Sequence, residues 1–248
     1  MKRRGLKTRW QKSFRKRRRK AIKAVLFDID GTILNCNSAG RAALVKATLD
    51  TFGTIGKMEK VDFQGKTDPL ILKESLSTMG FSDKDIEEKS DLLKEKYFFY
   101  LQENMKTYEV TVYPGIKDIL HSLSERDDII LGLLTGNFTE SAKIKLGSHD
   151  LNKYFKFGVY GDDAPIRNLL PEVAQKRITE LFDLQISFKD TIIIGDTIYD
   201  VRCARYSGAV SIAVGTGWGK PDTLKNENPD FYFDDLGNIN EFMKIMED

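Results

Sequence analysis

The chain has 248 residues, 41% of them hydrophobic, and its 39 Lys+Arg against 37 Asp+Glu leave a net charge of only +2. That length and apolar content suit one large or two modest packed domains, and the longest apolar stretches, such as residues 129–134, are too short and glycine-interrupted to span a bilayer. Two cysteines, Cys36 and Cys203, make no disulfide framework and read as small packing residues in a reducing cytoplasm, while His121 and His149 lack metal-ligand spacing.

The small net charge hides an asymmetry. Residues 1–20 contain twelve Lys or Arg and no acid, so subtracting those twelve from +2 leaves −10 for residues 21–248. Leu6, Trp10 and Phe14 recur at i, i+4 and i+8, and a helix there would be amphipathic. Such a segment could lie on an anionic membrane, bind nucleic acid or act as an organelle-targeting segment. The preferred reading is a disordered, solvated tail, or residues upstream of the true start, because like charges this dense repel. No secretory signal is expected, since Asp28 and Asp30 interrupt the apolar stretch that follows.

Ala24-Val-Leu-Phe-Asp28-Ile-Asp30-Gly-Thr32 is the most informative stretch. A short apolar run before a turn signal reads as a buried parallel strand, and ligands of open α/β sheets bind beyond the C-terminal ends of such strands. Residues i and i+2 share a strand face, so Asp28 and Asp30 are expected side by side, repelling each other unless a divalent cation sits between them. Oxygen ligands of this kind suit Mg²⁺. Gly31 allows a sharp turn and close ligand approach.

About a hundred residues of helical pattern follow. Leu44, Val45, Thr48, Leu49 and Phe52 make one stripe; Thr67-Asp68-Pro69 is a start signal for a helix carrying Leu72, Leu76 and Met79. Ser82-Asp-Lys-Asp85 reads as a capping box opening one longer helix through Ile86, Leu93 and Tyr97. No strand signal stands out in this region. Lys66 could reach a substrate anion, although Gly65-Lys66-Thr67-Asp68 serves equally well as a turn and helix cap, and it is not a P-loop, lacking the upstream glycine and strand.

Residues 129–134 form a second apolar strand, ending in Thr135-Gly136-Asn137, where the Thr135 hydroxyl and the N–H groups of Gly136 and Asn137 could meet phosphate oxygens. Pro171 suits the first turn of a helix running to about Phe182, which places Arg167 in the loop before it and Lys176 within it. Asp190–Ile194 is a third apolar strand delivering Asp196. Asp200 follows in a first helical turn, where it is either a helix-start residue or, in the preferred reading, a support for a metal. The rest alternates: a helix over 199–206 stopped by Gly208, a strand over 209–214, Trp218 and Pro221 in a loop, a short edge strand over 231–233 and a closing helix over 239–246. Alternation of this kind gives a parallel sheet with helices on both faces.

The order Asp28-x-Asp30-Gly-Thr32, then Thr135-Gly136-Asn137, then Gly195-Asp196-x₃-Asp200 resembles the haloacid dehalogenase-like (HAD) hydrolase superfamily over roughly residues 22–246. The combination is specific although each piece is not. The resemblance implies an α/β, Rossmann-like core over residues 21–35 and 110–248, with an all-helical cap domain over 36–109 that covers the site and selects the substrate. The loop Gln64-Gly65-Lys66-Thr67-Asp68 is similar to one found in phosphoglycolate-phosphatase-like members. The resemblance further implies Asp28 as nucleophile forming an aspartyl-phosphate, Asp30 as general acid and base, and Mg²⁺ held by Asp28, the main-chain carbonyl of Asp30, and Asp196. Gly31, Thr32, Gly136, Asn137 and Lys66 are expected to bind substrate, with Thr135 assisting catalysis and Asp200 supporting the metal. The family's basic residue falls at Arg167, in place of its more common lysine, with Lys176 as the alternative.

Three functions follow as expectations. The leading one is a cytoplasmic, monomeric or homodimeric Mg²⁺-dependent phosphatase of a small phosphorylated metabolite. The second is another enzyme on the same fold: a phosphomutase of the β-phosphoglucomutase kind, which would retain phosphate on a sugar, or a 2-haloacid dehalogenase, against which Asp30 argues. The third is a nucleic-acid or membrane binder acting through the basic tail, whose binding would vanish on deleting residues 1–20 while phosphatase activity persisted.

Overall fold

The computed structural model describes residues 21–247; the basic segment 1–20 lies outside the described residues. The strands are β1 (Lys23–Phe27), β2 (Leu34–Asn35), β3 (Thr111–Val112), β4 (Ile129–Leu134), β5 (Phe157–Val159), β6 (Thr191–Gly195), β7 (Val210–Val214) and β8 (Phe231–Phe233). The helices are α1 (Ala39–Phe52), α2 (Asp68–Leu76), α3 (Asp83–Glu88), α4 (Ser90–Thr107), α5 (Ile116–Ser124), α6 (Thr139–Gly147), α7 (Leu170–Phe182), α8 (Ile198–Ser207), α9 (Pro221–Asn226) and α10 (Ile239–Ile245). Six strands form a sheet in the order β5-β4-β1-β6-β7-β8, all paired parallel. The predicted α/β class, a parallel sheet flanked by helices, is therefore the fold observed.

Burial accounts for the order. Every residue of β4 and β6 is buried, as is nearly all of β1 and β7, and these four are the interior strands of the sheet. Strands covered on both faces have no use for polar alternation. The shorter β5 and β8 take the edges, and β8 has one exposed residue of three. Val25, Phe27, Leu131 and Ile194 pack on one side against Ile116, Ile119, Leu120 and Leu123 of α5. These four sit at i, i+3, i+4 and i+7, one stripe of a helix, and burying each contributes about 1.5–3 kcal/mol. Leu26, Ile130 and Ile193 face the other way, toward Leu170, Ala174 and Ile178 of α7 and Cys203 of α8. Both cysteines are buried and unpaired, as expected.

Helices α1–α4 carry a third apolar cluster of their own, including Leu44, Ile71, Leu72, Leu76, Leu93, Tyr97 and Leu101. The chain leaves the sheet domain through β2 and returns through β3, and these two-residue strands pair antiparallel. That ladder was not expected; two residues are too few to show periodicity. The capping box at Ser82 forms with both of its hydrogen bonds, but the single long helix expected behind it is two: α3 ends at Glu88, and α4 restarts after Lys89, which has φ −102° and ψ 1°. The apolar stripe runs on through Ile86, Leu93 and Tyr97, which is why the break was not legible.

Candidate active site

Strand β1 ends at Phe27, and the Asp28 N–H donates to the carbonyl of Ile194 on β6 at 2.9 Å. Asp28 is thus fixed at the mouth of the sheet between β4 and β6. The chain then turns tightly, with Gly31 at φ +84° and the N–H groups of Ile33 and Leu34 both reaching the Ile29 carbonyl. This turn defeats the expectation that Asp28 and Asp30 stand side by side on one strand face. Asp28 points into a buried acidic cluster with Asp196 and Asp200, whose ligand atoms all lie within 4.8 Å of one another. Asp30 points toward α6, where its Oδ2 meets Lys145 Nζ at 2.6 Å and Asn137 Nδ2 at 2.8 Å.

The cluster is held by a few partners. Asp196 follows the last residue of β6 and is fully buried; it accepts from the Thr32 hydroxyl at 3.3 Å and the Trp218 N–H at 3.2 Å. Asp200, in the first turn of α8, forms the capping box with Thr197, its Oδ2 accepting from the Thr197 N–H at 3.0 Å and hydroxyl at 2.6 Å. Its other oxygen pairs with Arg167. Asp200 is therefore a helix-start residue and a member of the cluster at once, with both oxygens engaged. Arg167 is buried in the short turn before α7, and its Nη2 also lies 3.4 Å from Asp28 Oδ2 and 3.3 Å from the Leu134 carbonyl. Lys176 is exposed on α7, away from the site. The Thr135 hydroxyl accepts from Asn137 Nδ2 at 2.8 Å.

Charge is poorly balanced here. Burial, only partly offset by Arg167, pushes the Asp28 carboxyl up to about 6. Burial and the neighbouring Asp200 and Asp28 carboxylates raise Asp196 well above the usual range. Three buried carboxylates facing one guanidinium are two positive charges short. A hard divalent cation among these oxygens fits both the donor set and the missing charge. Among the described residues Arg167 Nε is also buried without a hydrogen-bond partner, a costly state for a donor that an anionic oxygen would relieve.

The site opens into a cavity of about 210 Å³ whose lining includes Asp28, Asp30, Thr135, Asn137, Lys145 and Arg167. Gly136 lines it as well, and so does Lys66, which pairs with Glu74 at 2.5 Å. Gly31 and Thr32 do not line it: the Thr32 hydroxyl is spent on Asp196, and a Cβ at Gly31 would stand 2.3 Å from the same carboxylate. Residues of α1, α2 and α4, among them Gly40, Asp68 and Tyr97, roof the cavity over. The Asp68 N–H donates to the Gly136 carbonyl and its carboxylate accepts from the Phe138 N–H, both at 2.8 Å, and burial pushes that carboxyl up to about 6. A Cβ at Gly136 would come within 2.0 Å of the Lys66 carbonyl, so only glycine permits this approach.

Two residues at the site went unread in the sequence. Asp68 looked like a helix-start residue only. Lys145 carried no reading, yet it sits three residues after Ala142 and one before Leu146, inside the buried stripe of α6. Its burial opposes the charge, but the Asp30 carboxylate beside it raises its pKa. A lysine on the apolar stripe of a short helix just beyond Thr135-Gly136-Asn137 was the available signal.

Residues 25–214 match the family described as haloacid dehalogenase-like hydrolase. The chain belongs to that family. It is similar to PpaX, a pyrophosphatase candidate of Caldanaerobacter subterraneus subsp. tengcongensis, with 29% identity covering 90% of this chain and 95% of the relative. It is also similar to the phosphoglycolate phosphatase of Vibrio cholerae, at 24% identity over 91% and 99% of the two chains. Among solved structures, a hydrolase from Pseudomonas syringae superposes with a TM-score of 0.67 at 22% identity, covering 90% of this chain and 98% of that one, a likeness of fold. Among the described residues no helix is long and apolar enough to cross a membrane.

Proposed function

We propose that this hydrolase, a phosphatase by its family and relatives, releases phosphate from a small phosphorylated metabolite through an aspartyl-phosphate on Asp28, with Mg²⁺ as cofactor. The observation that carries the reading is the Asp28 carboxylate. It is buried, lies 3.4 Å from Arg167 Nη2, and opens into a cavity, lined also by Thr135, where a cation and an unpaired guanidinium N–H could both meet a phosphate. Carboxylates are established nucleophiles toward phosphorus, and phosphoryl transfer depends mainly on positioning and charge. In the proposed sequence an Asp28 oxygen bonds to phosphorus as the bond to the leaving oxygen breaks, and Asp30 gives that oxygen its proton. Asp30 then takes a proton from water as the water oxygen attacks phosphorus and frees Asp28. Asp28, the Asp30 main-chain carbonyl and Asp196 would hold Mg²⁺, with Asp200 bracing Arg167 and Thr197 beside them; the bound ion would offset the charge of carboxylates and phosphate. The helices over 36–109 act in this reading as the cap that excludes water and selects the substrate.

A screen of phosphorylated metabolites, including 2-phosphoglycolate and pyrophosphate, tests this by inorganic phosphate release. Turnover should vanish in excess chelator and return with Mg²⁺; full activity in chelator would reject the metal scheme, and transfer of phosphate within a sugar would make the protein a mutase. A second expectation concerns Gly217, where an added Cβ would fall 1.7 Å from Asp196 Oδ2. Displacing Asp196 should weaken Mg²⁺ binding roughly 10–100-fold, as disturbed outer partners of metal ligands do. Calorimetric titration of Gly217→Ala with Mg²⁺ measures this; unchanged affinity would remove Asp196 from the ligand set.

A further inference from the structure

Lys145 is the one buried lysine among the described residues. Its ammonium is 2.6 Å from Asp30 Oδ2 and 2.6 Å from Asn137 Oδ1, while Asn137 Nδ2 donates to the same Asp30 oxygen at 2.8 Å. Asp30 Oδ2 is thus pinned by two donors. Its Oδ1 carries no hydrogen bond among the described residues and is left for an incoming group. The lysine itself is walled in from the roof: a Cβ at Gly40 of α1 would stand 3.1 Å from both Cε and Nζ, and 3.8 Å from the Tyr97 hydroxyl of α4. An ammonium this enclosed is costly unless paired, and its pairing is spent on Asp30.

We propose that Lys145 is a positioning residue of the reaction: with Asn137 it holds the Asp30 carboxylate so that Oδ1 faces the leaving oxygen, and Gly40 of the roof helix leaves the space that this arrangement requires. The inference rests on the assignment of Asp30 as general acid. It adds that the proton donor is oriented from α6, by a residue outside the three strand-end motifs, and that the roof touches the proton donor through this lysine.

The experiment compares wild type, Asp30→Asn, Lys145→Met, the double variant and Gly40→Ala in saturating Mg²⁺. β-Glycerophosphate serves as an alkyl ester, p-nitrophenyl phosphate as an aryl ester that needs no proton to leave, and a melting curve accompanies each variant. Losing a general acid costs about 10²–10⁴ in rate. Asp30→Asn should therefore lose about 10² or more in kcat on the alkyl ester and far less on the aryl ester. Lys145→Met should show the same selectivity with KM little changed, and the double variant should be no slower than Asp30→Asn alone, because a residue acting through Asp30 has nothing left to do without it. Gly40→Ala, which keeps the ion pair but crowds it, should reproduce the selectivity in weaker form and gives the readout if Lys145→Met does not fold. Losses that multiply in the double variant, equal losses on the two esters from Lys145→Met or Gly40→Ala, or a raised KM with kcat preserved would each overturn the positioning role. Equal losses on both esters from Asp30→Asn would overturn the general-acid assignment itself and the inference with it, a result distinct from the failure of Lys145 alone.

Discussion

Asp28→Asn is expected to reduce phosphate release by roughly 10⁴–10⁶, the scale on which enzymes lose turnover with their covalent nucleophile. The amide has nearly the shape of the carboxylate but is a poor nucleophile. The same substitution should leave the fold intact and, in chelator at neutral pH, raise the melting temperature. The Asp28 carboxyl is pushed up to about 6 from an ordinary 3.8 chiefly by burial, so the folded chain holds this proton more tightly than the unfolded one. Stability from the protonated form is present in full below about pH 4 and is lost as pH rises through 6. Above that, the wild type carries a buried charge that asparagine does not. The gap in melting temperature between variant and wild type should therefore close as pH falls from 7 to 4, and Mg²⁺ should stabilise the wild type more than the variant. Phosphate assays and differential scanning calorimetry at several pH values measure both halves. Near-normal turnover would end the nucleophile assignment; a folded but inactive protein with a raised melting temperature is the expected result.

The sequence was most legible where covalent geometry and burial act locally. Residues 24–27, 129–134 and 192–194 are short apolar runs that read as covered strands, and each is followed closely by the polar groups it delivers. Thr67 and Ser82 each announced a helix start, and in both cases the side chain caps as its spacing requires. Legibility failed where a contact is made across the fold. Asp28 and Asp30 obey strand periodicity on paper, yet the chain leaves the strand at Phe27, and the turn at Gly31 sends the second carboxylate to Lys145, 115 residues away. Lys145 could be placed only by knowing which face of α6 meets the sheet. Thr32 reads as a phosphate donor until Asp196, 164 residues on, claims its hydroxyl. The break at Lys89 is a further case: the apolar stripe continues through it, because packing against α1–α2 constrains both helices alike.

Arg167→Ala should damage stability and rate together, and Lys176→Ala should be nearly silent. Arg167 is the guanidinium placed against Asp28 and Asp200 within a cluster of three buried carboxylates. Removing one partner of a buried ion pair leaves an uncompensated charge and costs about 3–5 kcal/mol; here the carboxylates would also repel one another. The melting temperature should fall sharply in chelator and recover in part with Mg²⁺, which would replace some of the missing charge and binds only the folded site. With Mg²⁺ present and the variant verified as folded by circular dichroism, kcat should still be down by roughly 10²–10³, the usual loss when one donor to a developing oxyanion is removed. Arg167→Lys separates charge from shape: it keeps the positive charge, so stability should be largely retained, but it lacks the planar fork whose Nη2 serves Asp28 and Asp200 while Nε stays free for phosphate. Lys176 is exposed, and its replacement should change stability by no more than about 0.5 kcal/mol and leave turnover unaltered. If Lys176→Ala were the crippled enzyme, or if folded Arg167→Ala turned over normally, the cation that steadies the nucleophile and the phosphate would have to be sought elsewhere. Lys145 is the buried candidate, and it already holds the Asp30 carboxylate on the opposite side of the cavity.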